Sequence, residues 1–486
     1  MSKAIKAIAG ASVMLGLCLP TSAFAKDDLQ AQVDKLGKQL AELQKELDSV
    51  NGGKKIASKS SKKRLAARKK HYAENFVDAV GEKNFQAAAV TTSPTLGLRS
   101  AHHGQDLVVN FSSMNEDLRL IEQRAKYQKQ RGIAELSRPL IELSGVLRGD
   151  VLYSKNFNGS TDTDLDLEQA ELDIFVEASR WISGFMSLAY DNGSPSYDVS
   201  AMNVGSGYND VSWSNVYLNR GFITVGDLTQ SPFYGSIGQM YLPFGKYSSW
   251  LVSSALTKKL GKTSGRAIDV GYAKDGFVST AYVMHGDSKE VNQSGTTTNN
   301  DNINAWGVNF EKSLDLAKNT KATVGAGYIS NLADSEGVLS TLEYATVAFA
   351  GGLSYNVTQY VPAYDIYAKL ELPSDWILSA EYIAAQKDII ADIGAGYDMG
   401  EPKALHVELD KLAYLGPLPL AIGLGYGKTK DFIYFPEESY QLAVSTYLWK
   451  DTVQSLEYRH LKAYSGQESN AQFAENYVTA MFSMYF

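Results

Sequence analysis

Lys246, Lys258, Lys259, Lys262 and Arg266 crowd into one stretch, KYSSWLVSSALTKKLGKTSGR (246–266), of a chain that is otherwise acidic from residue 136 onward. Cationic side chains this close can draw in an anionic ligand such as a polycarboxylate. They can also contact lipopolysaccharide phosphate, or simply keep a loop solvated. No catalytic motif accompanies them: the chain has no Gly-x-Ser-x-Gly, His-Glu-x-x-His or Walker loop. His285, His406 and His460 fall in three separate alternating segments, so they read as histidines of a wall rather than members of a triad. His102 and His103 are adjacent, and on an extended chain neighbours point opposite ways, which disfavours a shared metal. The residues therefore argue for binding or passage rather than catalysis, with no cofactor and no metal site.

The front of the chain supplies an address. Lys3 and Lys6 precede an apolar run over 7–19, then Pro20 and Ser22-Ala23-Phe24-Ala25. A basic n-region, short apolar core and Ala-x-Ala site predict a signal peptide over 1–25, with the mature chain starting at Lys26. The single cysteine, Cys18, lies inside that segment, so disulfides and thiolate sites are excluded from the mature chain. Export also argues against nucleic acid as a partner. Over 26–50, Leu29, Val33, Leu36, Leu40, Leu43, Leu47 and Val50 recur at alternating spacings of four and three, the seam of a short coiled coil. Such a seam serves either self-association, a homotrimer being one outcome, or packing on the chain's own body. Residues 51–71 form a linker with nine Lys or Arg between Lys54 and Lys70, a solvated tether or an attachment to lipopolysaccharide phosphate or the peptidoglycan wall. Within 72–135, Ser113-Met114-Asn115-Glu116 resembles a capping box that opens a helix reaching Arg131, with Gly132 as its stop. This segment could lie at the periplasmic mouth of a pore or partly enter it.

From Leu140 the pattern turns to a period of two. Ile141, Leu143, Gly145, Leu147, Gly149 and Val151 oppose Glu142, Ser144, Arg148 and Asp150; Ala170, Leu172, Ile174 and Val176 oppose Glu171, Asp173, Phe175 and Glu177. Charges concentrated on one face of successive strands mark the lumen of a water-filled barrel, so Glu142, Arg148, Asp150, Glu171, Asp173 and Glu177 are expected to face it. No mature stretch is apolar enough for a membrane helix. Segmentation of 136–486 predicts sixteen strands joined alternately by short turns and long loops, 154–166, 192–214, 244–265, 287–301, 331–362 and 387–401 among the latter. The fold class is an all-β membrane protein, a 16-stranded antiparallel transmembrane β-barrel with a periplasmic helical and coiled-coil extension at its N-terminus. The 29 Tyr, against 18 Phe and 6 Trp, suit the aromatic girdles of such a barrel. Residues 136–486 carry 24 Lys/Arg against 40 Asp/Glu, so an acidic lumen favouring cations and acidic loops bridged by divalent ions are both open. VAFAGGL (347–353) makes the longest loop oddly apolar, and folding into the pore as a constriction would cover it. In the final YVTAMFSMYF, Val478, Ala480, Phe482, Met484 and Phe486 should meet lipid; Phe482, Met484 and Phe486 would form the signal for the barrel assembly machinery. Met481 departs from the polar character of the other face.

LVVNFSSMNEDLRLIEQR (107–124) and RGFITVGDLTQSPFYGSIGQMYLPFGKYSS (220–249), with the NEDLRL and GQMYLPFG stretches most specific, resemble the LbtU-type siderophore porins, the legiobactin-uptake receptors. The resemblance covers the whole chain. It implies uptake of a ferric siderophore, of polycarboxylate type, through a sixteen-stranded barrel independent of the energy-transducing inner-membrane complex. The residues themselves add that nothing before the barrel reads as a globular plug. A general or cation-preferring porin for small solutes or ferrous iron, and an envelope-tethering barrel, are the alternatives. Partners are accordingly a ferric siderophore or other small solute, together with outer-membrane lipid and lipopolysaccharide.

Overall fold

The computed structural model describes residues 77–78, 89–92, 114–131, 140–191, 215–286, 303–345 and 356–486, less positions 358, 393–395, 417, 433, 450–451, 469–470 and 472. The chain divides into two units, 1–81 and 82–486. In the first, only the two-residue strand Val77–Asp78 is described. The expected signal peptide, coiled coil and basic linker lie outside the described residues.

Sixteen long strands close on themselves. They are β1 (Leu140–Lys155), β2 (Thr161–Glu177), β3 (Ile182–Asp191), β4 (Asn215–Gly226), β5 (Phe233–Tyr241), β6 (Ser264–Lys274), β7 (Phe277–His285) and β8 (Ala305–Ala317), then β9 (Thr320–Ile329), β10 (Ala363–Leu372), β11 (Trp376–Ala385), β12 (Lys403–Leu415), β13 (Leu418–Lys430), β14 (Glu438–Thr446), β15 (Thr452–Lys462) and β16 (Asn476–Tyr485). Each pairs antiparallel with its sequence neighbours, and β16 pairs antiparallel with β1, Met484 opposite Leu147 and Tyr477 opposite Ser154. Closure leaves no free edge along the barrel, the condition for a sheet to survive in lipid. Turns after even-numbered strands are short, such as Asp275-Gly276 between β6 and β7, whereas those after β3, β5, β7, β9 and β11 are long. The cylinder thus has a short-turn end and a long-loop end.

The period-two pattern sorts the side chains. Val151, Ile223, Ile237, Val270 and Leu456 stand 47–56% exposed on the outer face, where a soluble protein would not leave them. Trp181, Trp376, Tyr414, Tyr447 and Trp449 add exposed aromatics near the short-turn end, and Tyr153, Tyr440 and Tyr458 do so near the long-loop end. Their neighbours in sequence face inward: Ser144, Ser187, Glu408, Glu457 and Ser483 are all buried. An apolar belt between aromatic girdles, a polar interior and unequal loops make this an outer-membrane β-barrel.

The C-terminal residue completes the seam. Gly145 and Phe486 exchange both backbone hydrogen bonds, at 2.8 and 3.1 Å. A Cβ on Gly145 would lie 2.4 Å from Phe486 Cζ and 2.6 Å from the Glu171 carbonyl. Beyond Phe486, Leu140–Leu143 of β1 pairs in parallel with the short strand Ala89–Thr92. Gly145→Val should therefore lower the yield of folded, heat-modifiable barrel, overpacking at such a contact costing about 1–3 kcal/mol. Gly149→Val is the control, because its nearest neighbour would stand at 3.5 Å. Equal yields from the two variants on a semi-native gel would sink this account of the seam. Met481, the apolar exception on the inward face of β16, belongs to a buried cluster with Val146, Trp250, Leu412 and Val453, so it packs against an element inside the lumen.

Candidate functional site

Among the described residues, two elements tied to the wall by side chains occupy the lumen, and a further helix packs on the first of them. The first is the connection 242–263 between β5 and β6. Its backbone is tied to the opposite side of the barrel by three buried wall carboxylates. Glu381 of β11 accepts from Lys246 N at 2.6 Å, Tyr247 N at 3.2 Å and Thr257 Oγ1 at 2.8 Å. Glu408 of β12 accepts from Trp250 N at 2.5 Å. Glu457 of β15 accepts from Val252 N at 2.7 Å and Ser253 N at 3.1 Å. Charge-assisted bonds to backbone N–H groups satisfy both partners where water is scarce. The apolar side chains of the loop find matching room: a Cβ on Gly425 would stand 2.5 Å from Leu251 Cδ1.

Across the lumen the loop forms the short helix α2 (Leu256–Gly261), which buries Leu256, Thr257 and Leu260 and turns Lys258, Lys259 and Lys262 the other way. A second helix, α3 (Glu336–Ala345), comes from the connection between β9 and β10. Glu336 N donates to the Lys262 carbonyl at 2.9 Å, and Lys262 Nζ pairs with Glu336 Oε2 at 2.9 Å. Gly337 makes the approach possible, since a Cβ there would fall 1.8 Å from the Lys259 carbonyl. Burial alone would lower the Lys262 ammonium's pKa, but Glu336 and Tyr241 beside it drive it above the usual lysine range. Lys262 also sits 4.3 Å from the Tyr241 ring centroid, within cation–π range.

The second lumen element is the helix α1 (Glu116–Arg131). It lies against the β2–β7 wall: Leu118 and Ile121 share a buried cluster with Tyr234, and Leu120 joins Phe175, Phe185, Phe222 and Met240. Its first turn is fixed by charge. Arg220 of β4 donates to Glu116 and to Glu171 of β2, contacts Ser187 Oγ at 3.3 Å, and has Asp173 at 4.0 Å. Ser236 Oγ donates to Asp117 Oδ2 at 2.7 Å, and Arg124 Nη2 donates to the Gly226 carbonyl at 2.8 Å. Because Gly226 closes β4 at the short-turn end, α1 runs from mid-lumen toward that end.

Between the 242–263 loop, α3 and the β1–β4 wall lies a cavity of about 290 Å³, close to the small end of the ~300–1,000 Å³ range of small-molecule sites. Arg148, Arg459, Lys258, Lys259 and Lys262 line it, against Glu168, Glu171 and Glu336. Arg148 Nη1 reaches Glu168 at 3.3 Å. Arg459 stacks 4.3 Å from the Tyr477 centroid, and its buried Nε has no hydrogen-bond partner among the described residues.

A UPF0422 protein of Coxiella burnetii (strain RSA 493 / Nine Mile phase I) is 30% identical over 421 residues, spanning 83% of this chain and 85% of the relative. The chain belongs to the UPF0422 family. A UPF0422 protein of Legionella pneumophila (strain Lens) is 31% identical over 387 residues, 76% of this chain and 69% of that one. No family model matches. Among solved structures, the Acinetobacter baumannii outer membrane channel DcaP aligns over 72% of this chain and 97% of its own at TM-score 0.45 and 12% identity. Salmonella typhi OmpF in complex with daunomycin aligns over 73% and 100% at TM-score 0.43 and 11% identity.

In this UPF0422 protein the five-residue basic cluster is divided. Lys258, Lys259 and Lys262 share the cavity, while Lys246 turns to the wall and pairs with Glu311 Oε2 of β8 at 2.5 Å. Arg266 corrects the expectation. It lies inside β6, exposed on the same face as Ile268 and Val270, and so belongs to the outer surface rather than to the loop. Glu142, Arg148 and Asp150 lie on the face opposite the exposed Leu147 and Val151. Arg148 and Glu171 line the cavity, Asp173 joins the Arg220 group, and Glu177 stands near Arg124. The constriction expected from 331–362 is shared with another loop. Residues 242–263 cross the lumen, and the described part of 331–362 packs α3 onto them; VAFAGGL lies outside the described residues. Arg220, Arg459 and the three anchoring carboxylates went unread in the sequence, although each sits at an inward position of its strand's alternation.

Proposed function

We propose that this protein is an outer-membrane channel for an anionic iron chelate, a ferric siderophore of polycarboxylate type, which passes by diffusion without a globular plug and independently of the energy-transducing inner-membrane complex. The observation that carries the reading is the gathering of Arg148, Arg459, Lys258, Lys259 and Lys262 around one lumen cavity of a barrel rich in carboxylates. A narrow, partly desolvated passage in which cationic groups outnumber acids, five to three here, concentrates anions. The resemblance to siderophore porins supplies the iron. In this reading the short-turn end and the N-terminal region face the periplasm, and the loops at the far end meet the ligand first. Phe482, Met484 and Phe486 then present the seam to the assembly machinery, lipopolysaccharide surrounds the upper belt, and three copies form the working unit.

Iron-limited cells with and without the gene should differ in accumulation of radiolabelled ferric polycarboxylate chelates. Equal uptake of every chelate by the two strains would end the iron reading. A second reading draws on the outer half of β2, where Asp162, Asp164, Asp166 and Glu168 share one face and are exposed. This acidic ladder at the long-loop end favours a cation-preferring channel for small solutes or ferrous iron. Reversal potentials in a potassium chloride gradient separate the two, anion preference supporting the first.

A further inference from the structure

We infer that the lumen cavity is a binding site for a small molecule bearing two or more carboxylates, and that Glu168 and Glu336 occupy the places its carboxylates would take. The inference deepens the uptake reading and rests on it only for the physiological cargo.

The cationic groups come from two independently anchored parts of the molecule. Arg148 and Arg459 belong to β1 and β15 of the wall, while Lys258 and Lys259 ride on α2 and Lys262 caps it, a helix that Glu381 of the wall holds through Thr257. A monocarboxylate can satisfy one part; a ligand with separated carboxylates spans both. Arg459 has a buried Nε without a partner, and a buried guanidinium N–H is costly to leave unmade. A carboxylate drawn to the Arg459 guanidinium would relieve that cost.

Arg148 and Lys262 are each engaged by an internal acid. Glu168 meets Arg148 at 3.3 Å and Glu336 meets Lys262 at 2.9 Å. Both acids line the cavity, while the third, Glu171, is committed to Arg220. Exchanging a protein carboxylate for a ligand carboxylate keeps each cation paired, so desolvation changes little and the exchange is readily reversible. That suits a site in a channel, which has to release what it binds. The aromatic rings of Tyr241 and Phe435 lie 4.3 Å and 5.8 Å from Lys262 and Lys259, and they limit where the ammonium groups can swing.

Citrate added to one side of single channels in a planar bilayer is the probe, with acetate as the comparison. Citrate should interrupt the chloride current in a concentration-dependent way, and acetate should not. Arg459→Gln should weaken the citrate block at least tenfold, and Glu336→Gln should strengthen it severalfold; the current itself reports that each variant has folded. Lys258→Gln with Lys259→Gln provides a second, independent weakening. Citrate block unchanged by Arg459→Gln and Glu336→Gln, or acetate block equal to that of citrate, would overturn the assignment. Because the recording contains no iron, clear citrate block together with normal chelate uptake by cells lacking the gene refutes the iron reading and leaves the site standing.

Discussion

Arg220→Ala is expected to detach helix α1 from the lumen wall. Arg220 is 6% exposed and is the one cation that Glu116, Glu171 and Asp173 share. Removing it takes their shared cation from Glu171 and Asp173 and leaves Glu116 only Arg119, at 2.8 Å; breaking a buried pair of this kind costs about 3–5 kcal/mol. The strand pairings of the wall are untouched, so the barrel should still assemble. The expected result is fast backbone hydrogen exchange over Glu116–Arg131 and a larger single-channel conductance. Arg180→Ala is the comparison. That side chain pairs with Asp227 at the short-turn surface but is 38% exposed, and an exposed pair is worth about 0–1 kcal/mol. Protection of α1 that survives Arg220→Ala would show that apolar packing alone holds the helix.

The second large effect concerns the loop that crosses the lumen. Glu381, Glu408 and Glu457 accept five backbone N–H bonds from it. Bonds to a charged acceptor contribute about 1.5–3 kcal/mol each before the cost of burying the carboxylate is subtracted. Glu408→Ala should give noisy channels that flicker between two levels, because Lys246 and Ser253 remain tethered on either side. Glu408→Ala with Glu457→Ala should free the segment from Trp250 to Ser253, raise the mean conductance severalfold and abolish preference among anions. The corresponding Gln variants keep an acceptor oxygen and should fall between. Steady, wild-type currents from the double Ala variant would mean that Trp250 and Leu251, packed over Gly423 and Gly425, hold the loop without help.

Much of the cylinder was legible because lipid imposes a simple rule on it. One face of each strand must be apolar, so Val478, Phe482 and Met484 stand out against Tyr477, Thr479 and Ser483 without knowledge of their neighbours. The helix α1 was readable too, from NEDLRL and the capping signal before it. What could not be read is which residues meet across the lumen. Glu381 lies 124 residues from the Thr257 hydroxyl that it accepts, and nothing local in either segment records the partnership. Arg266 failed for a related reason. A basic residue two positions into a strand looks the same as one in the loop before it, and only the register against Gln239 and His285 shows the difference. The cavity itself is a long-range property, since Arg148 and Arg459 become neighbours of α2 only after closure.

The position of α1 bears on how the molecule is made and unmade. The helix reaches toward the rim at which β1 begins: Arg124 bonds the Gly226 carbonyl there, and the parallel strand Ala89–Thr92 sits beside Leu140–Leu143. Among the described residues the helix meets the wall through side chains and not through strand pairing, so the cylinder can close first and receive the helix afterwards. It can also give the helix up without parting a single pair of wall strands, and a force applied to the N-terminal region could withdraw α1 as a unit.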